Sequence, residues 1–165
     1  MRKRQKHPLH IITLKHCNYF SFPELADFLK VTRKCLSYWV AMKWEKRWKI
    51  DDFPRPEQIK GLNKYIPAFR VTDIYTYLNL ELPRFQNDIY FIEPLLTIKE
   101  VSQLIERNER TVKRYIYEDK ELPVLYIGNR QLVRIQNRDL KEFSLKRGYM
   151  GIYKKNTESI NNRPL

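Results

Sequence analysis

Residues 95–148 arrange their apolar and polar positions in a pattern that predicts two short helices joined by a tight turn. Thr97 and Glu100 have the spacing of a capping box, in which each side chain satisfies a backbone N–H at the start of a helix. The apolar positions behind this cap fall on one helical face: Ile98, Val101, Leu104 and Ile105. Asn108 then offers an N-cap for a second helix over residues 109–118. The inward positions of that helix are Val112, Tyr115 and Ile116.

The residues after the second helix predict a β-hairpin and a closing helix. Pro123 ends the second helix because proline cannot continue the backbone hydrogen-bond ladder. Two β-rich runs, at 124–127 and 132–135, enclose a turn of glycine and polar residues. A last helix is expected from near Asn137 to Gly148, since glycine is the preferred residue after a helix C-terminus.

This order of elements resembles the excisionase-like and MerR-like winged helix-turn-helix domains of phages, mobile elements and bacterial regulators. The segments that carry the resemblance are Thr97-Ile98-Lys99-Glu100-Val101, Arg110-Thr111-Val112-Lys113-Arg114-Tyr115, Glu121-Leu122-Pro123, Ile127-Gly128-Asn129-Arg130 and Arg138-Asp139-Leu140. The resemblance implies that the second helix reads the major groove of DNA and that the hairpin is a wing. Arg130 at the hairpin tip and Arg134 beyond it are then placed for phosphate or minor-groove contact.

The pattern occurs a second time from Ser21 onward, which indicates an internal repeat. Ser21 and Glu24 form another capping box, and Thr32 takes the place of Asn108 as the second cap. The apolar positions of the two copies coincide without a gap: Leu25 with Val101, Phe28 with Leu104, Leu29 with Ile105, Leu36 with Val112, Trp39 with Tyr115, and Val40 with Ile116.

The first copy diverges from the second after its paired helices. A longer connection over residues 43–52 precedes a wing that we expect at 57–60 and 65–70. Pro67 lies inside the second wing strand and therefore predicts an edge position or a bulge. A closing helix is expected to start near Thr72, and each copy is preceded by a predicted strand, at 10–14 and at 89–92.

These patterns predict an α+β chain of two tandem small winged helix-turn-helix domains, mainly helical, with a short β-hairpin wing in each. The expected segments are a basic N-terminal arm at 1–8, a first domain at 9–82, a linker at 83–88, a second domain at 89–148 and a polar tail at 149–165. The linker is short and not rich in glycine, so a semi-fixed relation of the domains is expected. The tail is expected to be disordered or to contact a partner.

Composition favours nucleic acid as the partner. The 165 residues carry a formal net charge of +13, and together with the helix-turn-helix pattern this points to DNA. Hydrophobic residues at 42% are enough to pack cores, which excludes a disordered basic tail.

The two cysteines form no disulfide framework and suit a reducing cytoplasm. With no apolar run of the roughly 20 residues that span a bilayer and no signal peptide, we expect a cytoplasmic, nucleoid-associated protein of a bacterium or phage.

The resemblance implies that exposed side chains of the two recognition helices read the bases. Arginine suits the bidentate acceptor edge of guanine, and glutamate can accept from cytosine. In the helices the expected DNA-binding residues are Arg33, Lys34, Ser37, Tyr38, Glu109, Arg110, Thr111, Lys113 and Arg114. In the wings and the arm they are Lys60, Asn63, Lys64, Asn129, Arg130, Arg134, Arg2 and Arg4.

Catalytic and metal chemistry find little support in the sequence. His7, His10, His16 and Cys17 do not have the spacing of a zinc finger, and no glycine-rich phosphate loop or serine–histidine–aspartate set is present. We therefore expect no enzyme activity, metal or cofactor. Trp39 is expected in the core, while Trp44 and Trp48 are expected on a helix face or in a contact between modules rather than as a base-stacking platform.

Two classes of function remain open on the sequence. The first is a sequence-specific reader of tandem half-sites in double-stranded DNA, either an architectural excisionase (recombination directionality factor) that positions an integrase, or a transcriptional regulator of a mobile element. The second is a winged-helix adaptor that docks protein in a replication or recombination complex. Expected partners are duplex DNA and a recombinase or the transcription machinery, with self-association on DNA and no membrane. RNA binding is disfavoured because no ribonucleoprotein motif occurs.

Overall fold

The computed structural model describes residues 14–16, 18–40, 52–60, 65–87, 89–128 and 132–161 of the chain. They form a mixed α+β protein with small antiparallel sheets, as the sequence predicted. The helices are α1 (Phe22–Leu29), α2 (Arg33–Val40), α3 (Val71–Tyr77), α4 (Ile98–Leu104), α5 (Glu109–Tyr117), α6 (Asn137–Lys146) and α7 (Met150–Asn161). The strands are β1 (Leu14–His16), β2 (Tyr19–Ser21), β3 (Glu57–Lys60), β4 (Tyr65–Arg70), β5 (Phe85–Gln86), β6 (Ile89–Ile92), β7 (Leu125–Ile127) and β8 (Leu132–Arg134). No helix in these ranges is both long enough and apolar enough to cross a membrane.

The chain divides into two compact units whose boundaries differ from the predicted domains. The N-terminal unit comprises Thr13–Leu95 together with Leu125–Arg134, and the C-terminal unit draws its described residues from Leu96–Val124 and Ile135–Leu165. The predicted boundaries instead placed a linker at 83–88 and started the second domain at 89. The difference arises because strand pairing and burial assign both the linker and the second hairpin to the N-terminal unit.

Strand β6 explains why the predicted linker is part of a sheet. It is the central strand of the order β1-β6-β5, with Leu14 opposite Ile92 and Phe85 opposite Tyr90. The strand expected at 89–92 therefore pairs with Leu14–His16, whereas residues 10–13 of the strand expected before the first repeat lie outside the described residues. Ile92 is fully buried, so β6 also contributes to the core of the N-terminal unit.

Aromatic side chains fill the core of the N-terminal unit. Phe20, Phe28 and Phe69 are fully buried or nearly so, and the rings of Phe20 and Phe28 stack with their centroids 5.3 Å apart. Trp39 is 7% exposed and its ring lies 5.6 Å from that of Phe53. The prediction that Trp39 is a core residue is confirmed.

The hairpin predicted for the first repeat is present as β3–β4, with the predicted strand bounds. Strand β4 is central in the order β2-β4-β3, with Phe20 opposite Phe69 and Ile59 opposite Ile66. Pro67 faces Gln58 on β3 but lies beyond the residues that pair with β2. At Pro67, therefore, β4 pairs with β3 but not with β2, so among the described strands this position lies locally at an edge. This confirms the predicted edge position and explains why a residue without an N–H is tolerated there.

The second predicted wing is present as the β7–β8 hairpin but belongs to the N-terminal unit. Leu125 pairs with Arg134 and Ile127 with Leu132. Ile127 is fully buried and joins the cluster that contains Phe20, while Leu125 and Leu132 pack against that cluster. The hairpin is thus a core element rather than a projecting wing, and the sequence could not indicate this because any half-buried hairpin has the same β-rich pattern.

The described residues of the C-terminal unit form four helices and one isolated bridge. The backbones of Leu96 and Ile135 exchange hydrogen bonds of 2.8 and 2.9 Å, which tie the chain before α4 to the chain before α6. The fully buried side chains of this unit include Val101, Leu104, Ile105, Val112, Ile135 and Leu140. Gly148 follows α6 with a φ of +73°, which confirms the predicted C-terminal stop.

The internal repeat extends to details of the backbone in the paired helices α1–α2 and α4–α5. Both predicted capping boxes are confirmed, at Ser21 with Glu24 and at Thr97 with Glu100. After the first helix of each pair, Lys30 and Glu106 adopt left-handed φ values of 54° and 52°. The next residue in each copy donates the same backbone bond, Val31 N–H to the Ala26 carbonyl and Arg107 N–H to the Ser102 carbonyl, both at 2.9 Å.

Within the predicted polar tail, Met150–Asn161 form the helix α7, which packs on α4 and α6. The Asn156 amide donates to the Leu104 carbonyl at 3.1 Å and to the Gln103 carbonyl at 3.4 Å, so it caps the C-terminal end of α4. The Tyr153 hydroxyl, which is buried, donates to the Asn137 side chain. The expectation of disorder is wrong for Met150–Asn161, because Tyr153 and Asn156 anchor this helix, a role that a polar composition conceals. The alternative expectation, that the tail contacts a partner, stays a prediction.

Candidate nucleic-acid interface

Helix α5 presents a basic face to solvent. Arg110, Lys113, Arg114 and Tyr117 follow one another at the i, i+3, i+4, i+7 spacing of a single helical face, and all four are exposed. We call these four residues the basic stripe. The opposite face holds the buried Val112, Tyr115 and Ile116, which fix the rotation of the helix about its axis.

The cations of the basic stripe have few acidic neighbours in the described part of the chain. Within those ranges, Arg110 and Lys113 have no carboxylate within 4.0 Å. Arg114 has a distant partner, with 3.9 Å between its Nε and an Asp119 carboxylate oxygen, and 54% of its side chain is exposed. A phosphate or base edge could therefore bind Arg110 and Lys113 without first breaking an ion pair.

The remaining predicted residues of α5 serve the start of the helix. The Asn108 side chain accepts from the Thr111 backbone N–H at 2.7 Å, which confirms the predicted N-cap. Thr111 is partly buried beside this cap. Glu109 is exposed in the first turn, where the helix dipole favours a negative charge. These contacts give Glu109 and Thr111 a structural explanation that does not need DNA.

Helix α2, in the N-terminal unit, exposes two cations at the predicted positions, whereas the basic stripe has three. Arg33, Lys34, Ser37 and Tyr38 are all exposed, and the Lys34 ammonium lies 5.7 Å from the centroid of the Tyr38 ring. The Ser37 hydroxyl donates to the Arg33 carbonyl at 2.9 Å and is thus used within the helix. The Cys35 backbone N–H donates to the Thr32 hydroxyl at 3.1 Å, which confirms Thr32 as the predicted N-cap of α2. Lys60 is exposed on β3, opposite Tyr65.

Arg134 is not placed to contact DNA and is a correction to the predicted set. The residue is 9% exposed. Its guanidinium donates to the carbonyls of Leu29 at 2.8 Å, Lys30 at 2.7 Å and Val133 at 2.7 Å. Leu29 and Lys30 lie at the C-terminal end of α1, where unsatisfied carbonyls and the helix dipole favour a cation. Arg134 therefore stabilises the core of the N-terminal unit.

Several predicted positions lie outside the described residues, so their placement stays a prediction. They are Arg2, Arg4, Asn63, Lys64, Asn129 and Arg130, together with Trp44, Trp48, His7, His10 and Cys17.

A cluster of arginines and tyrosines in the C-terminal unit was missed by sequence reasoning. The hydroxyl oxygens of Tyr115 and Tyr149 lie 2.9 Å apart. The Arg107 guanidinium carbon lies 4.8 Å from the Tyr149 ring centroid, and those of Arg147 and Arg114 lie 5.0 and 5.6 Å from the Tyr115 centroid. We call these five residues the arginine–tyrosine flank. No sequence signal could have found it, because Arg107 and Tyr149 are distant in the chain and neither belongs to a periodic pattern.

The tyrosine hydroxyls influence each other's ionisation. The shared hydrogen bond raises the pKa of Tyr115 and lowers the pKa of Tyr149, and the neighbouring Arg107 lowers the latter further. Arg107 Nε donates to the Tyr149 hydroxyl oxygen at 3.5 Å, so the guanidinium contacts both the ring and the hydroxyl of Tyr149.

Comparisons with protein families, curated proteins and solved structures find no match to this chain. In the part of the chain that the structure describes, no cluster of three or more histidine, cysteine, aspartate or glutamate residues could hold a metal ion. What this surface does is therefore inferred from its own side chains, which are cationic and aromatic.

Proposed function

We propose that this protein binds double-stranded DNA in a sequence-specific way through two winged helix-turn-helix repeats, as an excisionase (recombination directionality factor) does. The observation that carries the proposal is the basic stripe of α5. A capped helix with exposed cations on one face and apolar side chains on the other is suited to the major groove, where arginine can bond guanine through two atoms.

The two helix pairs, α1–α2 and α4–α5, support the helix-turn-helix part of the proposal. In each repeat two short helices are joined by a tight turn around a left-handed residue, Lys30 or Glu106, and a helix-turn-helix requires such a turn. The β3–β4 hairpin supplies one wing, with Lys60 exposed on it. The wing assigned to the second repeat packs into a core, so we expect α5 to bind without help from Arg134.

The two repeats carry different side chains at matching positions, which favours an asymmetric target. In the alignment of the repeats, Lys34 matches Arg110, Ser37 matches Lys113 and Tyr38 matches Arg114. Because base preference depends on the side chain, each repeat should select its own half-site. Both an excisionase and a transcriptional regulator of a mobile element can use such a site, and the adaptor class is disfavoured by the exposed cations of the basic stripe.

The proposal is tested by selecting bound sequences from a random duplex pool and titrating the winner at several salt concentrations. We expect a motif with two related but distinct half-sites. Replacing Arg110 and Lys113 by alanine should weaken binding to it by about 1–3 kcal/mol for each base-reading side chain that is removed. Arg138→Ala is the matched control, since Arg138 is an exposed cation on α6 that faces Asp139 at 3.8 Å.

Wild-type affinity in the α5 double variant would mean that α5 does not face DNA. If the pool yields no motif and binding vanishes in moderate salt, the attraction is nonspecific and the adaptor class becomes the better proposal.

A second prediction separates the contributions of the two repeats. Lys34→Ala is expected to relax base preference in one half-site only, and Arg110→Ala in the other only, because the two residues occupy matching positions in different repeats. Repeating the selection with each variant measures this directly. Loss of preference in the same half-site for both variants would contradict the assignment of one half-site to each repeat.

A further inference from the structure

Arg107 differs from the other arginines of the flank because its position is fixed by groups that carry no formal negative charge. Arg147 donates to Glu121 at 2.5 Å and to Asp119 at 3.4 Å, and Arg114 approaches Asp119. Within the described ranges, Arg107 has no carboxylate within 4.0 Å. Its guanidinium stacks on Tyr149, and its Nη1 donates to the Glu106 carbonyl at 3.1 Å. The Arg107 guanidinium is therefore held in place without being neutralised by a carboxylate of the described residues, so it can still bind an anion.

The helix pair itself does not require an arginine at this position. Arg107 makes the same backbone bond that Val31 makes in the first repeat, with the same length of 2.9 Å. Val31 is partly buried and packs against the core of its unit. A small apolar residue thus serves the turn equally well, and the exposed guanidinium of Arg107 needs another explanation.

The flank borders the basic stripe along α5. Arg114 belongs to both, because it lies on the exposed face of the helix while its guanidinium rests near the Tyr115 ring. In a major-groove complex the sugar–phosphate strand runs beside the helix that reads the bases. A guanidinium fixed next to that helix is therefore suited to a phosphate, which it can bond through two N–H groups.

We propose that Arg107 binds a backbone phosphate of the duplex that the basic stripe reads, and that Tyr149 is the positioning residue that holds the Arg107 guanidinium for it. This inference rests on the proposed function and adds a residue pair to it. Stacking on a ring restricts the arginine before binding, so less side-chain entropy is lost when the phosphate is bound.

The test compares full-length variants on the selected duplex and on a mixed-sequence duplex over a range of salt concentrations. Arg107→Ala should weaken binding to both duplexes by the same factor. It should also make the negative slope of log K against log salt shallower by about 0.9, the value for one phosphate. Tyr149→Leu should reproduce most of that loss, whereas Tyr149→Phe keeps the ring and should stay close to wild type. Arg138→Ala should leave the slope unchanged.

The stability of the variant and the motif selection by the wild type distinguish the possible outcomes. The urea midpoint of Arg107→Ala should equal that of the wild type, because the residue is exposed, so a loss of binding cannot come from unfolding. An unchanged salt slope in Arg107→Ala, or a loss confined to the selected duplex, overturns the phosphate assignment while the wild type still selects its motif. Failure of the proposed function itself is visible earlier, as a wild type that selects no motif.

Discussion

Arg134→Met is expected to lower the free energy of unfolding by about 2–4 kcal/mol, because it leaves the buried Leu29 carbonyl and the partly buried Lys30 carbonyl without their donor. The guanidinium bonds the carbonyls of Leu29 and Lys30, and the Leu29 side chain is fully buried. Methionine fills much of the same volume but offers no N–H. Urea unfolding measures the change as a shift in midpoint at constant slope.

Two variants define what Arg134 contributes. Arg134→Lys keeps the charge but cannot present two parallel N–H groups to two carbonyls, so an intermediate loss of stability is expected. Arg138→Ala removes an exposed arginine with 61% of its side chain accessible and should change stability by no more than about 0.5 kcal/mol. If Arg134→Met is as stable as the wild type and instead has a smaller salt slope on DNA, the residue is a phosphate contact after all.

Local signals in the sequence predicted the helices well, because caps and helical periodicity are properties of short segments. Ser21, Thr97 and Asn108 each begin a helix as expected, and each side chain accepts the backbone N–H that the pattern required. The exposed face of α5 followed from the same periodicity. The exposure of Arg110 and Lys113 was therefore predicted correctly from the sequence alone.

Long-range pairing set the limits of prediction. A β-rich run does not specify its partner, so the sequence could not assign β6 to a sheet with β1 or the β7–β8 hairpin to the core around Phe20. Arg134 was misplaced for the same reason, since its acceptors Leu29 and Lys30 lie far away in the chain. The contact between Arg107 and Tyr149 was missed because these two residues are equally remote in the chain.

A chain that ends at residue 88 is expected not to fold, although the sequence pattern placed a complete domain before that point. It lacks β6, the central strand of its sheet, and three buried side chains of the core, namely Ile92, Leu95 and Ile127. Burial of three such side chains contributes about 5–9 kcal/mol, which is comparable with the whole stability of a small domain. Far-UV circular dichroism and urea titration should show no cooperative transition.

A chain that ends at residue 134 is the matched control, because it retains every described residue of the N-terminal unit, including the β7–β8 hairpin. The intervening residues 96–124 become a long loop, and the entropic cost of closing a loop grows only slowly with its length. We therefore expect dispersed amide resonances and a cooperative transition from this chain but not from the shorter one. Cooperative folding of the chain that ends at 88 would instead restore the boundaries that the repeat pattern suggested, with β6 and the hairpin dispensable to the first core.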